Sequence, residues 1–278
     1  MKILYDNVSA KCSKITTRAY STSFSLGIRF LSQKFHAPIY GIYGFVRLAD
    51  EIVDSFHGYD KVALLAKFRN DTVEAVEQGI SLNPILNSFQ EAVNKYNIEW
   101  DLIDTFLRSM EMDLGQTTHN EETFNQYILG SAEVVGLMCL RVFVEGDKDL
   151  YTKLKPYAMS LGSAFQKVNF LRDLKADYQD LGRTYFPGVD FKRFSKTDKE
   201  RIQKDIESEF STALEGIKML PRSSGRGVYL AYYYYLKLFK RIKATPAEKV
   251  MLVRIRIPDV NKISLMFKSI IRLQLNML

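Results

Sequence analysis

Cysteine is nearly absent from this sequence. Cys12 and Cys139 are the two present in 278 residues, and they lie on different segments with no metal-ligand spacing. A disulfide-stapled scaffold is excluded, and a reduced cytosolic compartment is the simpler reading. Proline is sparse as well, and no Gly/Ser-rich linker, low-complexity run or fixed internal period divides the chain. Linker-joined modules and repeat architectures are therefore poor fits. No apolar stretch reads as long enough to span a bilayer. The start, Met1-Lys2-Ile3-Leu4-Tyr5-Asp6, lacks the apolar core of a secretory signal. The expectation from these readings is a cytoplasmic protein. The three histidines, His36, His57 and His119, are too scattered for a zinc site and read as surface residues. No Ser-His-Asp or Cys-His constellation is visible. The basic residues are dispersed, and no zinc, RRM or helix-turn-helix signature accompanies them, so nucleic acid is not an expected partner.

What is present is apolar and periodic. Hydrophobic residues make up 46% of the chain and aromatics 13%, enough to bury one large core, and residues 1–278 read as a single domain. Apolar residues recur at three and four spacing near 6–21, 37–55, 60–79, 84–96, 100–115, 122–145, 149–180, 197–219, 225–243 and 247–275, which predicts helices there. Pro38 and Asn83-Pro84 suit helix starts, Gly146 suits an end, and Pro187, Pro221, Pro246 and Pro258 fall mostly at joins. Alternating strands are scarce. The expected fold class is all-α, a single-domain helical bundle with a central cavity.

Two segments, Asp50-Glu51-Ile52-Val53-Asp54 and Asp173-Leu174-Lys175-Ala176-Asp177, each set two aspartates four residues apart in a helical pattern. On a helix, i and i+4 share a face at about 5–6 Å, so each segment presents a carboxylate pair whose like charges repel. A cation relieves that repulsion, and Mg²⁺ suits it because it takes one or two carboxylates and completes its shell with water and phosphate oxygens. Arg47 stands three residues before Asp50, and Arg172 is adjacent to Asp173. A guanidinium beside such a cluster can take a phosphate bidentately. Diphosphate chemistry is the reading these residues favour over two solvated acidic faces. The formal charge of +7 agrees with anionic diphosphates and with an anionic lipid surface.

The stretch Ser21-Thr22-Ser23-Phe24, followed by Tyr40-Gly41-Ile42-Tyr43-Gly44-Phe45-Val46-Arg47-Leu48-Ala49-Asp50 and on to Asp54, resembles the N-terminal signature of the squalene and phytoene synthases. Gln166-Lys167-Val168-Asn169-Phe170-Leu171-Arg172-Asp173, on to Asp177, is similar to that family's second signature, and Gly182-Arg183-Thr184-Tyr185-Phe186-Pro187 follows it. The resemblance runs from about residue 15 to 257. It implies the isoprenoid synthase fold, prenyl diphosphate substrates and their head-to-head joining through a cyclopropyl intermediate. Carried over by position, Asp50, Asp54, Asp173 and Asp177 would ligate Mg²⁺ (or Mn²⁺), with Tyr43 and Arg47 beside the first pair. Ser21, Ser23, Phe24, Gln166, Asn169, Arg172, Arg183, Tyr185 and Tyr235 would contact substrate. The run Tyr232 to Tyr235 leaves the matching tyrosine open. Where many relatives have Tyr-x-Tyr, this chain has Tyr127-Ile128-Leu129, and the second aromatic is missing.

Beneath the carboxylates, Tyr43 and Phe45, then Leu161, Phe165, Phe170 and Leu171, are candidates for apolar walls. Ala132, Val134, Val135, Gly136, Leu137 and Met138 form a third candidate stretch, with Gly130 and Gly136 allowing close approach. Within the family, similarity in the first motif points to the bacterial phytoene synthases, which act on geranylgeranyl diphosphate and end by losing a proton, so no NADPH is expected. Squalene, hydroxysqualene and dehydrosqualene synthases, which use farnesyl diphosphate, are the alternatives, as is a noncatalytic assembly factor of the same fold. The segment Lys262 to Leu278 interleaves Ile263, Leu265, Met266, Phe267, Ile270 and Ile271 with Lys262, Lys268 and Arg272. That composition suits a final core helix or an interfacial one making peripheral contact with the inner face of the cell membrane.

Overall fold

The three-and-four apolar spacing resolves into a bundle of helices. The computed structural model describes residues 2–179 and 182–257, and the side chains of Thr22, Ser23 and Lys192 fall outside the described residues as well. In chain order the α-helices are α1 (Lys2–Tyr20), α2 (Thr22–Arg29), α3 (His36–Asp54), α4 (Lys61–Gln78), α5 (Pro84–Tyr96), α6 (Trp100–Gly115), α7 (Glu121–Ile128), α8 (Val134–Val144), α9 (Lys148–Gln179), α10 (Lys196–Met219), α11 (Arg222–Ala244) and the short α12 (Ala247–Val250). A π-helical turn, Leu129–Glu133, joins α7 to α8 without a break. No strand occurs among the described residues. One isolated bridge, Thr118 to Thr184, pins the loop after α9 to the loop after α6.

Local chemistry sets the boundaries. The Asn83 side chain accepts from the amides of Ile85 and Leu86 while Pro84 fills the first helical position, so α5 starts where an orphan donor would otherwise face solvent. Asp60 caps α4 in the same way. That helix ends at Gly79, whose φ of 67° is the left-handed conformation glycine adopts without a Cβ clash. Ser195 and Asp198 form a reciprocal capping box at the start of α10.

Three expectations change. The first predicted helix ends near 21 as expected, but Ser21 then caps an unforeseen second helix, its side chain accepting from the Phe24 amide at 3.2 Å. The last one stops at Val250 instead of continuing to 275, and residues 254–257 follow without helix. Pro258 and the segment 262–278 lie outside the described residues. Finally, the 24-residue run Glu121–Val144 is long and apolar enough to cross a membrane, with an 18-residue window of mean hydropathy 1.7; 61% of that window is buried inside the protein, as in a central bundle helix.

Two hydrophobic clusters flank the middle of the bundle. Phe45 stacks on Phe89 with ring centroids 3.9 Å apart and meets Phe106 at 5.3 Å, in a core shared by α3, α5 and α6. Phe170, Tyr185 and Phe186 anchor the second, with Phe170 and Tyr185 stacked at 3.9 Å. Between the clusters, α3, α8, α9 and α11 enclose a cavity of about 1020 Å³.

Candidate active site

Tyr43, Arg47, Asp50 and Asp54 follow one another at i, i+4, i+7 and i+11 on α3, so one face of that helix delivers all four to the cavity. The Arg47 guanidinium donates to both Asp50 and Glu51 and lies over the Tyr20 ring, 4.2 Å from its centroid. Its Nε is buried with no hydrogen-bond partner. Tyr43 packs its ring on Phe24 at 4.9 Å. Burial, with the nearby Tyr235 hydroxyl, pushes the Tyr43 phenol up to about 12 against the opposing pull of Ser21 and Arg47.

The facing wall is α9, 32 residues long, about 48 Å at 1.5 Å per residue. Gln166, Asn169, Arg172, Asp173 and Asp177 line the same cavity from it. Arg172 donates through Nε to both Asp173 oxygens at 3.1 Å. A polar chain runs deeper: the Tyr235 hydroxyl donates to Asn169 at 3.3 Å, Asn169 to Gln166 at 3.4 Å, and Gln166 to Ser131 at 3.3 Å. Of the tyrosine run, Tyr234 and Tyr235 reach the cavity, while Tyr232 and Tyr233 are core.

Both carboxylate pairs sit at the wrong end of their helices. Asp54 closes α3 and Asp177 lies two residues from the end of α9, with no basic residue in either last turn. The macrodipole disfavours anions there. Burial and the neighbouring Asp54 raise Asp50 to about 6. Burial, Asp173 and Asp54 raise Asp177 to about 7, so the two pairs feel each other across the opening.

Arg183 ties the rim together. Its guanidinium donates to Asp54 Oδ1 at 2.7 Å and to the Asp113 carbonyl at 2.9 Å, and stands 3.6 Å from Asp113 Oδ1. Desolvation opposes its charge, but Asp113, Tyr185 and Asp54 outweigh that and hold it protonated. Asp113 is itself raised to about 7 by burial, against Arg183 and the Tyr127 hydroxyl that donates to it at 2.7 Å.

Sequence reasoning missed Asp113, and the signal for it is a carboxylate on the buried stripe Ile103, Phe106, Met110, Asp113 of α6, where an apolar residue is expected. It also missed Arg254, whose Nε stands 2.6 Å from Asp173 Oδ1. The alternation Arg254-Ile255-Arg256-Ile257, with both isoleucines buried, has the period of extended chain and not of a helix. His119 is no surface bystander: it is half-buried, stacked 5.6 Å from Tyr185. Of the candidate wall residues, Leu161, Phe165, Phe170, Ala132, Val135 and Gly136 line the cavity. Phe45, Leu171, Val134, Leu137 and Met138 do not; they pack in the cores. Ser21 lines the cavity, whereas the Ser23 side chain lies outside the described residues.

The donor set suits a hard divalent cation. Carboxylate oxygens are ligands that Mg²⁺ takes one or two at a time, and a cation would reverse the upward pull on Asp50 and Asp177. Among the described residues no three His, Cys, Asp or Glu side chains converge closely enough to hold an ion alone. Asp50, Asp54, Asp173 and Asp177 would therefore hold it together with oxygens from a bound phosphate.

Comparison with known proteins agrees with this architecture. The squalene/phytoene synthase family model matches residues 17–261. A 4,4'-diapophytoene synthase from Staphylococcus haemolyticus is 27% identical over 67% of this chain and 65% of its own. A phytoene synthase from Arthrospira platensis is 24% identical over 72% of this chain and 67% of its own. A presqualene diphosphate synthase from Sinorhizobium fredii is 30% identical over 67% of this chain and 66% of its own. The chain thus spans about two thirds of the length of these relatives. The crystal structure of a dehydrosqualene synthase with a ligand superposes at a TM-score of 0.83 and 18% identity, covering 97% of this chain and 98% of that one. The bundle and its cavity have the isoprenoid synthase fold.

Proposed function

Because the chain belongs to the squalene/phytoene synthase family, we propose that it joins two molecules of geranylgeranyl diphosphate head to head, through a cyclopropyl diphosphate, to phytoene. The observation that carries the reading is the pairing of two arginine-flanked aspartate pairs with the mouth of a single, largely apolar cavity. Two diphosphates and two protons leave in all, one of each at either stage, so the balance needs no reductant and no NADPH. Mg²⁺, when bound with the substrate, supplies the positive charge that draws electrons onto the departing oxygen.

The chain's own residues do the rest. Arg47 offers its unpartnered Nε to a phosphate oxygen, and Arg172, Arg183 and Arg254 stand within reach of the same rim. Leu161, Phe165, Val135 and the other apolar walls keep water from the cationic carbon. The faces of Phe24 and Tyr43 attract passing positive charge, about 0.5–2 kcal/mol each. A second reading keeps the chemistry and shortens the substrate to farnesyl diphosphate; the 27% identity to a diapophytoene synthase favours it.

Incubation with geranylgeranyl or farnesyl diphosphate and Mg²⁺, with and without NADPH, tests both. The expected result is phytoene without NADPH, abolished by EDTA and by Asp173→Asn in a protein of unchanged helicity. Preference for farnesyl diphosphate moves the assignment to the shorter substrate, and a hydrocarbon formed strictly with NADPH moves it to a squalene synthase. Undiminished turnover in EDTA or in Asp173→Asn removes the metal role.

A further inference from the structure

Below the rim the cavity wall is mostly apolar, and a polar side chain there costs free energy unless its hydrogen bonds are made. Ser131 is such a side chain. It lies half-buried in the π-helical turn Leu129–Glu133 and lines the cavity beside Ala132 and Val135. Its hydroxyl accepts from Gln166 Nε2 at 3.3 Å and so ends the polar chain that starts at Tyr235. Neither signature segment includes it.

The two ends of that chain set its direction. An amide has one accepting end and one donating end. With Gln166 Nε2 given to Ser131, Gln166 Oε1 is left to accept from Asn169 at 3.4 Å, and Asn169 Oδ1 to accept from the Tyr235 hydroxyl at 3.3 Å. At the rim end, Phe165 holds the Tyr235 ring by stacking at 3.9 Å. Burial raises the Tyr235 phenol while Arg172 pulls it down, and a cation beside the phenol oxygen favours the arrangement in which the proton points away, to Asn169.

At the deep end the backbone supplies a fixed point. π-turns within α-helices recur at functional sites. This one is clamped on both sides: a Cβ on Gly162 of α9 would lie 2.6 Å from the Ala132 carbonyl oxygen and 3.2 Å from the Glu133 Cα, and Gly130 is pressed as closely on α6. Ser131 Oγ is therefore a rigid stop for a chain whose hydrogen bonds are all longer than usual and would otherwise be free to turn.

We propose that Ser131 is a positioning residue: anchored by the π-turn, its hydroxyl holds the Gln166 amide, and through it Asn169 and Tyr235, in the orientation that meets the reacting prenyl diphosphates. This role rests on the reading that the cavity takes those substrates. Without the anchor Gln166 Nε2 loses its partner and both amides can rotate, so the geometry the transition state needs is populated less often. The arginines and carboxylates of the rim keep their places, and substrate capture is spared.

Steady-state kinetics with Mg²⁺ and either geranylgeranyl or farnesyl diphosphate, alongside urea denaturation, test this on Ser131→Ala, Ser131→Thr, Gln166→Ala and Ser131→Ala/Gln166→Ala. Ser131→Ala is expected to lower kcat by roughly tenfold with KM changed by less than about twofold, and Ser131→Thr, which keeps the hydroxyl, to recover most of that loss. Added to Gln166→Ala, Ser131→Ala should change kcat by less than about twofold, because the group it positions is already gone. A serine that merely satisfies a buried donor would lower the urea midpoint and leave kcat intact, and that outcome overturns the proposal. So do equal losses in the Thr and Ala variants, or losses that multiply in the double variant. Failure of the substrate reading shows separately, as a wild type that turns over neither diphosphate, and it removes the reaction for which Ser131 is assigned.

Discussion

At the scale of single residues, Arg183 is committed to acceptors in two helices, Asp54 at the end of α3 and Asp113 in α6, so it is at once a rim cation and the partner of a buried carboxyl. Removing it leaves Asp113 without its counter-charge. Arg183→Gln should therefore cost about 3–5 kcal/mol of stability, measured by urea denaturation, and abolish turnover. Asp113→Asn in the same chain should restore much of the stability and none of the activity. A purely structural Arg183 would instead recover both. The four rim aspartates were legible because i, i+4 spacing is printed in the sequence. Asp113 was not, because a lone acid in an apolar stripe has no spacing to betray it. Its meaning comes from Arg183, 70 residues away.

At the scale of elements, the helix predicted over 122–145 is continuous but widens into the π-helical turn Leu129–Glu133. No residue-level propensity marks that turn; crowding does. A Cβ at Gly130 would lie 2.5 Å from the Ser109 Cβ and 2.7 Å from the Thr105 carbonyl oxygen of α6. Gly130→Val should cost about 2–3 kcal/mol by overpacking against backbone that cannot yield, read as a lowered urea midpoint. The turn also delivers Glu133 to a charged seam between α9 and α10, where Lys167 reaches Asp205 and Glu209 and Ser163 donates to Glu209 at 2.6 Å. Burial and Glu209 raise Glu133 to about 7, with Lys167 opposing. A carboxyl raised in the folded state favours folding while it stays protonated. Its contribution is full below its unfolded value of 4.5 and is lost as pH climbs through about 7. Glu133→Gln should thus be more stable than wild type above pH 7, by about 1–2 kcal/mol, and gain nothing near pH 4.5. An advantage that does not vary with pH would contradict this.

At the scale of the whole molecule, the all-α bundle was legible because its helices carry periodic apolar faces, and α4, α5, α7 and α10 also open on a side-chain cap. The predicted spans 84–96 and 100–115 coincide with α5 and α6. The failures have physical causes. The helix at 22–29 begins within a Ser-Thr-Ser run whose first serine turns out to be an N-cap, and residues 254–257 alternate with a period of two. The rim, by contrast, is assembled from α3, α6, α9, the loop after it and the stretch after α12, and the ion pair Arg183 to Asp54 closes 129 residues of chain. Helices form from local contacts in about a microsecond, whereas contacts this distant must first meet the entropy of closing a long loop. During refolding from urea, far-UV ellipticity should return ahead of catalytic competence, with a collapsed, helical and inactive species in between. Simultaneous recovery of the two signals would count against that order. A chain growing from the ribosome has its first aspartate pair early, but it cannot use that pair until nearly all of the remaining sequence has emerged and folded around it.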